Sequence, residues 1–405
     1  MFNLRKILII VGFAIIAVGL GFGIYFTFFA APKETVPPPV TEAPAGAAGQ
    51  LPSSGAAGLK PPGQTGAPGE ITAGGLPAAK TLSAADLALS GATNITIAAN
   101  GRDLQYYDSN SGLFYRTDAN GALTPLSNKK FFEVKKVSWS GDNKKAVLEY
   151  PDGSNIVYDF STDSQVTLPK HWQDFNFSPD GGKLVSKSIG ADANNQWLIV
   201  SDTNGTNAKI VAALGDNADK VQVAWSPSNQ VVGFSATGDA TSEFGTQEIY
   251  LIGQNKENFK SLKVQGLNFK AAWAKEGDRL MYSVADPKNG YRPTLWATDA
   301  SGDNVGSNTV KINLNTPIDK CAIVSGYKAY CAVPKDLPEG SGLDMNIAGN
   351  TQDSFYFVNL KTGATNLIGE PGASYDVSQI SVSSDEKYIY FTDAANSGLH
   401  QIRIE

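Results

Sequence analysis

Beyond residue 80 the chain alternates short apolar runs with clusters of Gly, Asp, Asn and Ser, and the alternation itself repeats. "DFNFSPDGGKLVSKS" (174–188) has near-copies in "VSWSGDNKKAVLEY" (137–150), "VAWSPSNQVVGFSA" (223–236), "AAWAKEGDRLMYSV" (271–284) and "ISVSSDEKYIYFTD" (380–393). Aligning the copies on an apolar anchor puts Trp139, Phe177, Trp225, Trp273, Ile323 and Val382 in register, at spacings of 38, 48, 48, 50 and 59 residues. A further copy without a Trp begins near Ile95. Strand-built repeats of about 40–50 residues predict a β-propeller, one four-stranded antiparallel blade per repeat.

Each copy parses the same way. A first strand ends at the anchor, a Ser-Pro-Asp-Gly type turn follows, and a second apolar strand returns. After a variable loop comes the most apolar strand, such as "WLIV" (197–200) or "FYFV" (355–358), then a turn such as "DTNG" (202–205) and a fourth strand. Short continuous apolar runs bounded by turn residues suit strands covered on both faces, as stacked blades require. Seven copies predict seven blades. The last copy runs out of chain after three strands, so the ring is expected to close with a strand borrowed from 81–92; six blades with an irregular seventh copy is the alternative.

The turns "FSPDGGKLV" and "WSPSNQVV" resemble the W-S-P-D-G signature of TolB-like, WD40-like (PD40) propeller repeats, over most of 93–405. The GH and WD dipeptides of true WD40 blades are missing, which favours the TolB-like branch. The resemblance implies a propeller and a binding role. It carries over no partner, because TolB-type proteins have a separate N-terminal domain where this chain has a different N-terminal region.

That region is organised as a 1–6 tail, an apolar segment 7–30, a linker 31–80 and then the propeller, 81–405. Ile7 to Phe29 is 23 residues without a charge, long enough as a helix to cross a bilayer. Arg5 and Lys6 precede it, which predicts a cytoplasmic N-terminus and an extracytoplasmic remainder. The segment is longer than the apolar core of a cleaved signal peptide, so it reads as a single-pass membrane anchor. Gly19 and Gly23 form a G-x-x-x-G, a candidate helix-dimer face. Residues 31–80 hold ten prolines, nine glycines and no aromatic residue, a composition that cannot cover the entropy of folding and serves as a flexible tether.

Charge and inventory narrow the chemistry. Net charge is −6 and charged residues are 18% of the chain, so the head reads as lacking the basic footprint a nucleic acid needs. His171 and His400 are the only histidines. No His/Cys metal pattern, G-x-S-x-G elbow or cofactor motif is present, so no metal, cofactor or catalytic residue is nominated and the chain reads as not an enzyme. Cys321 and Cys331, in "CAIVSGYKAYC", lie symmetrically about Gly326; a hairpin centred there would bring them face to face as a disulfide.

In a propeller, the second-to-third-strand loops and the blade-to-blade connections share one face. Here those loops vary in length, and variable loops on a rigid frame are where binding resides. They nominate Phe244, Tyr291, Arg292 and Met345, with His171 and Trp172 from a blade-to-blade connection, as the partner-binding face. The function expected is a membrane-anchored extracytoplasmic interaction or scaffold module of the cell envelope, with envelope or surface proteins as partners. The alternative is a surface protein that binds, or binds and cleaves, cell-wall glycan.

Overall fold

The computed structural model describes residues 80–238 and 245–404. The predicted anchor (7–30), most of the linker, and with them Gly19 and Gly23, lie outside the described residues. Among the described residues no helix is long and apolar enough to cross a membrane.

The described residues form seven antiparallel sheets arranged as the blades of a propeller. Counted from the central channel outward, blade 1 is Ala92–Ile97, Leu104–Asp108, Leu113–Thr117 and Leu123–Pro125. Blade 2 is Lys136–Trp139, Lys145–Glu149, Asn155–Asp159 and Ser164–Leu168; blade 3 is Trp172–Phe177, Lys183–Ile189, Gln196–Asp202 and Lys209–Ala213. Blade 4 is Val221–Val223, Val231–Ser235, Thr246–Gly253 and Leu262–Gln265; blade 5 is Leu267–Trp273, Arg279–Asp286, Arg292–Asp299 and Val310–Ile312. Blade 6 comprises Cys321–Ser325, Lys328–Pro334, Asp353–Asn359 and Thr365–Pro371, and blade 7 comprises Val377–Val382, Tyr388–Asp393 and Leu399–Arg403. The fourth strand of blade 7 is Ala84–Ala88, paired antiparallel with Leu399–Arg403, so the ring closes with the expected N-terminal strand. Just before it, Thr81–Leu82 adds a fifth strand to blade 6, parallel to Glu370–Pro371. The seven-blade reading holds and the six-blade alternative does not.

The repeat signature has a plain physical cause. In "SPDGGKLV" the Ser178 hydroxyl donates to Asp180 and accepts the Lys183 N–H, locking the turn that reverses the first strand into the second. Ser140 with Asp142 and Lys145, and Ser383 with Asp385 and Tyr388, repeat the device. The side-chain oxygen replaces a backbone acceptor at a tight turn.

Each pair of neighbouring blades encloses its own apolar cluster, from the aromatic set Tyr107, Phe114, Phe131 and Tyr158 between blades 1 and 2 to Ala92, Tyr106, Tyr390 and Leu399 between blades 7 and 1. The most deeply covered strand is the second rather than the third: Arg279–Asp286 is buried at every position, whereas Tyr250 on a third strand stands exposed. Both strands are flanked within the sheet, but the second lies nearer the axis, where neighbouring blades converge, and the third further out, where they splay apart.

A polar clasp crosses every junction near the channel. Asn94 accepts from the Val137 N–H, Glu149 from Asp174, Asn176 from Trp225, Asp353 from Val377, and Gln379 from Ile95. Gln222 both donates to the Ala271 carbonyl and accepts its N–H, and Ser283 accepts from Ile318. Innermost strands have a bare edge toward the channel, and these clasps satisfy donors that would otherwise be orphaned there. Between blades 6 and 7 the buried Lys320 ammonium donates to Asp353 (2.9 Å), Asp376 (2.8 Å) and Thr351 (3.2 Å), so the desolvated charges are paired.

Candidate functional site

The first strands of the blades enter the channel from one end, and there they do not run straight. The first strands of blades 1, 3, 5, 6 and 7 carry a register break, and in those of blades 1, 3 and 5 an Asx residue within the break adopts left-handed backbone: Asn94 (φ 53), Asp174 (φ 57) and Asn268 (φ 52). Asn and Asp tolerate that conformation better than other residues with a Cβ, and a bulge re-aims the side chains around it. Two of these residues, Asp174 and Asn268, line a funnel of about 790 Å³ at this end of the channel.

The funnel wall is polar and charged. Lys136, Asp174, Gln222, Asn268, Lys270 and Asp319 line it. Asp174 is the hub, with the ammonium groups of Lys136 at 3.1 Å and Lys187 at 2.9 Å; Lys136 also lies 3.6 Å from Glu149. Burial pushes the Asp174 carboxyl up, but the two lysines outweigh it and hold the group below the usual carboxylate range. Burial likewise opposes the charge on Lys136, and Glu149 and Asp174 overcome it, so its ammonium is held above the usual value. Across the funnel Lys270 pairs with Asp319 at 3.2 Å.

Beside the funnel, the second-to-third-strand loops of blades 5 and 6 are locked into a single ridge. Gly340 and Gly342 N–H groups donate to the carbonyls of Gly290 and Tyr291, both at 2.8 Å. The Arg292 Nε donates to the Leu337 carbonyl (2.7 Å), and Asn268 donates to the Gly342 carbonyl (2.8 Å), tying the ridge to the funnel rim. Gly342 is required by proximity: a Cβ there would sit 2.6 Å from the Tyr291 oxygen. The ridge tip exposes Leu343 (49%) and Ile347 (51%).

The nominated residues separate accordingly. Tyr291, Arg292 and Met345 do come together on this ridge, where Arg292 also braces the backbone through the Leu337 and Asn289 carbonyls. Tyr291 takes left-handed backbone (φ 55) at the loop's crossing point. Met345 opens a short 3-10 turn, Met345–Ala348, and is half-buried. His171 is exposed in the blade 2–3 connection, a different sector of the face. Trp172 is a correction: it is buried between blades 2 and 3 with Val147, Leu168 and Phe177, so it packs the frame and presents nothing to a ligand. Phe244 lies outside the described residues. Leu343 and Ile347 were overlooked, although their alternation with Met345 in "GLDMNIA" marks one apolar edge. His400 is buried in blade 7, its Nδ1 2.8 Å from the Asp86 carboxylate of the closing strand.

The blade 6 hairpin turns at Gly326 and Tyr327, at the opposite end of the channel, whereas Cys321 and Cys331 are paired directly across it at the funnel end of the two strands, two residues beyond Asp319. Their Cα atoms are 4.1 Å apart and their sulfurs 2.11 Å.

No family model matches the sequence, and no curated protein does. Solved structures match the fold. The β-propeller domain of Cps50 (Swd1) from Myceliophteria thermophila superposes with a TM-score of 0.53 at 10% identity, over 78% of this chain and 98% of that one. An oligogalacturonate lyase in complex with manganese gives 0.51 at 14% identity, over 82% and 99%. The tricorn protease gives 0.50 at 10% identity, over 80% of this chain but only 35% of that one. These likenesses show a propeller fold. They also correct one expectation: a lyase built almost wholly on this fold means that the architecture, with missing hydrolase and histidine motifs, does not exclude catalysis, and the reading of the chain as not an enzyme is withdrawn.

Proposed function

We propose that the chain is a tethered recognition propeller: a membrane-anchored, extracytoplasmic interaction or scaffold module of the cell envelope, built from TolB-like repeats, that engages a protein partner on the funnel face. The observation that carries this reading is the blade 5–6 ridge. Its backbone is immobilised by four hydrogen bonds, it holds Leu343 and Ile347 in water, and it borders a charged funnel. Exposed apolar side chains on a pre-ordered loop bind without a further ordering cost, which is the arrangement of an interface anchor. The anchor itself is supported by the uncharged stretch from Ile7 to Phe29 and by the Pro/Gly-rich run that follows. In that compartment the Cys321–Cys331 pair is a disulfide.

Full-length protein solubilised in detergent should retain one or more partner proteins through purification. A Leu343→Ser/Ile347→Ser variant should lose them, and Tyr327→Ser, an exposed change at the other end of the channel, should keep them. Retention on cell-wall glycan in place of any protein would reject this reading in favour of a polysaccharide ligand for the funnel carboxylates.

A further inference from the structure

We infer that the connection from blade 1 to blade 2, Lys129 to Lys136, is a docking surface for an acidic polypeptide segment that carries aromatic or apolar side chains. The inference deepens the interaction reading above and rests on it, but it concerns the side of the funnel face opposite the ridge.

The stretch reads "KKFFEVKK", four lysines and one acid in eight residues of a chain whose net charge is −6. Two of the lysines are used by the fold. Lys129 donates to Gln165 at 2.5 Å and lies over the rings of Phe131 and Tyr158, and Lys136 pairs with Asp174 and Glu149 on the funnel rim. The other two, Lys130 and Lys135, are exposed, and their ammonium groups enter no ion pair or hydrogen bond among the described residues. The one acid of the segment, Glu133, is exposed in left-handed backbone (φ 59). The lysines therefore form a basic spoke that leads from the side of blade 2 to the funnel.

The two phenylalanines have opposite fates. Phe131 is buried in the blade 1–2 cluster, while Phe132 is 56% exposed. Phe132 is nevertheless fixed. Its ring lies against Gly112, where a Cβ would come within 3.0 Å of it. The adjoining backbone is pinned by the Phe131 N–H on the Gly112 carbonyl (2.7 Å), the Tyr107 hydroxyl on the Phe131 carbonyl (2.6 Å) and the Lys135 N–H on the Glu149 carbonyl (2.8 Å). A rigid exposed aromatic between unpaired cations is the composition of an interface anchor. Two free lysines are too few for the many phosphate contacts a nucleic acid needs, and with one aromatic they give only a marginal hold on an anionic bilayer. An acidic peptide needs only a few charge contacts and one apolar one, and the spoke leads it to the polar funnel.

The test uses the full-length protein in detergent and a fluorescently labelled acidic copolymer, poly(Glu,Tyr), read by anisotropy over a range of salt. Wild type should bind, more weakly as salt rises. Lys130→Ala/Lys135→Ala should weaken binding about tenfold and flatten the salt dependence. Phe132→Ala should weaken it about tenfold with the salt dependence unchanged. Lys209→Ala/Lys260→Ala, two exposed lysines elsewhere, should leave it unchanged. Equal losses in that control pair, no binding of the copolymer, or tighter spoke-dependent binding of heparin or phosphatidylglycerol vesicles would each overturn the assignment. Native partners that survive Lys130→Ala/Lys135→Ala would also overturn it while leaving the interaction reading intact. Copolymer binding by a chain that captures no protein from its own cell would sink the interaction reading instead.

Discussion

A chain that starts after the closing strand should not hold the ring. Leu82 is 2% exposed and packs among Tyr330, Phe355, Val377 and Phe391. The Lys80 and Leu82 carbonyls accept from Glu370 (2.9 Å) and Gly372 (3.0 Å), and Ala84–Ala88 supplies the whole outer ladder of blade 7, including Asp86 against His400. Deleting a buried leucine side chain costs about 2–5 kcal/mol. Each lost backbone hydrogen bond adds roughly 0.5–1.5 kcal/mol, and several go together. The sum is on the order of 5–10 kcal/mol, comparable with the entire stability of an ordinary domain. Chains beginning at Lys80 and at Ser90 can be compared by guanidinium unfolding, followed by tryptophan fluorescence, and by size-exclusion chromatography. The first should be monomeric with one cooperative transition; the second should aggregate or lack the transition. In the longer chain Leu82→Ala should cost about 3 kcal/mol, while Leu89→Ala, 78% exposed, should stay within about 0.5 kcal/mol. Equal midpoints for the two chains, or equal effects of the two leucine changes, would refute the seam as a structural element.

Non-reduced mass spectrometry should yield one peptide pair joining Cys321 and Cys331, and no thiol should alkylate under native conditions; replacing both by Ser should lower stability by about 2–3 kcal/mol. Acid should loosen the funnel. Because Asp174 is held below its unfolded value of roughly 3.9, its contribution is present above that pH and is lost as pH falls through the folded value. Asp174→Asn should therefore be less stable than wild type at neutral pH and lose less between pH 5 and about pH 3 in urea unfolding; identical acid profiles would show that the Lys136 and Lys187 contacts contribute nothing.

The repeat was legible because its cause is local. A serine that takes the N–H five residues on, as Ser178 does for Lys183, must stand at one fixed place in every turn that uses it. The cysteines were legible for the same reason, since register through Gly326 follows from a short hairpin. What escaped were properties set by neighbours far along the chain. Trp172 and Phe132 both precede or enter a first strand, yet one is buried against the preceding blade and the other lies exposed beside Gly112; nothing in "KHWQD" or "KKFFEV" distinguishes them. That Arg292 also braces the ridge follows only once Leu337 arrives to accept from it. The clasps Asn94, Gln222 and Gln379 are ordinary polar residues in sequence, and only the closed ring gives them carbonyls and N–H groups to meet.

The same clasps account for how a frame made of repeats can present a site that does not repeat. Apolar clusters between blades hold neighbours together but tolerate small rotations. A directional hydrogen bond from each blade to the next removes that freedom next to the channel. Three of the blades can then carry left-handed Asx residues in their first strands, two of them on the funnel wall, a strained arrangement that persists only where its surroundings over-determine it. Two of those residues have tasks beyond the turn: Asn94 clasps blade 2, and Asn268 holds the ridge. Asp174 instead keeps two lysines at the funnel mouth while its own N–H is held by Glu149. Relaxing one clasp should therefore be felt first in the charged funnel and the ridge, and only later in the blades.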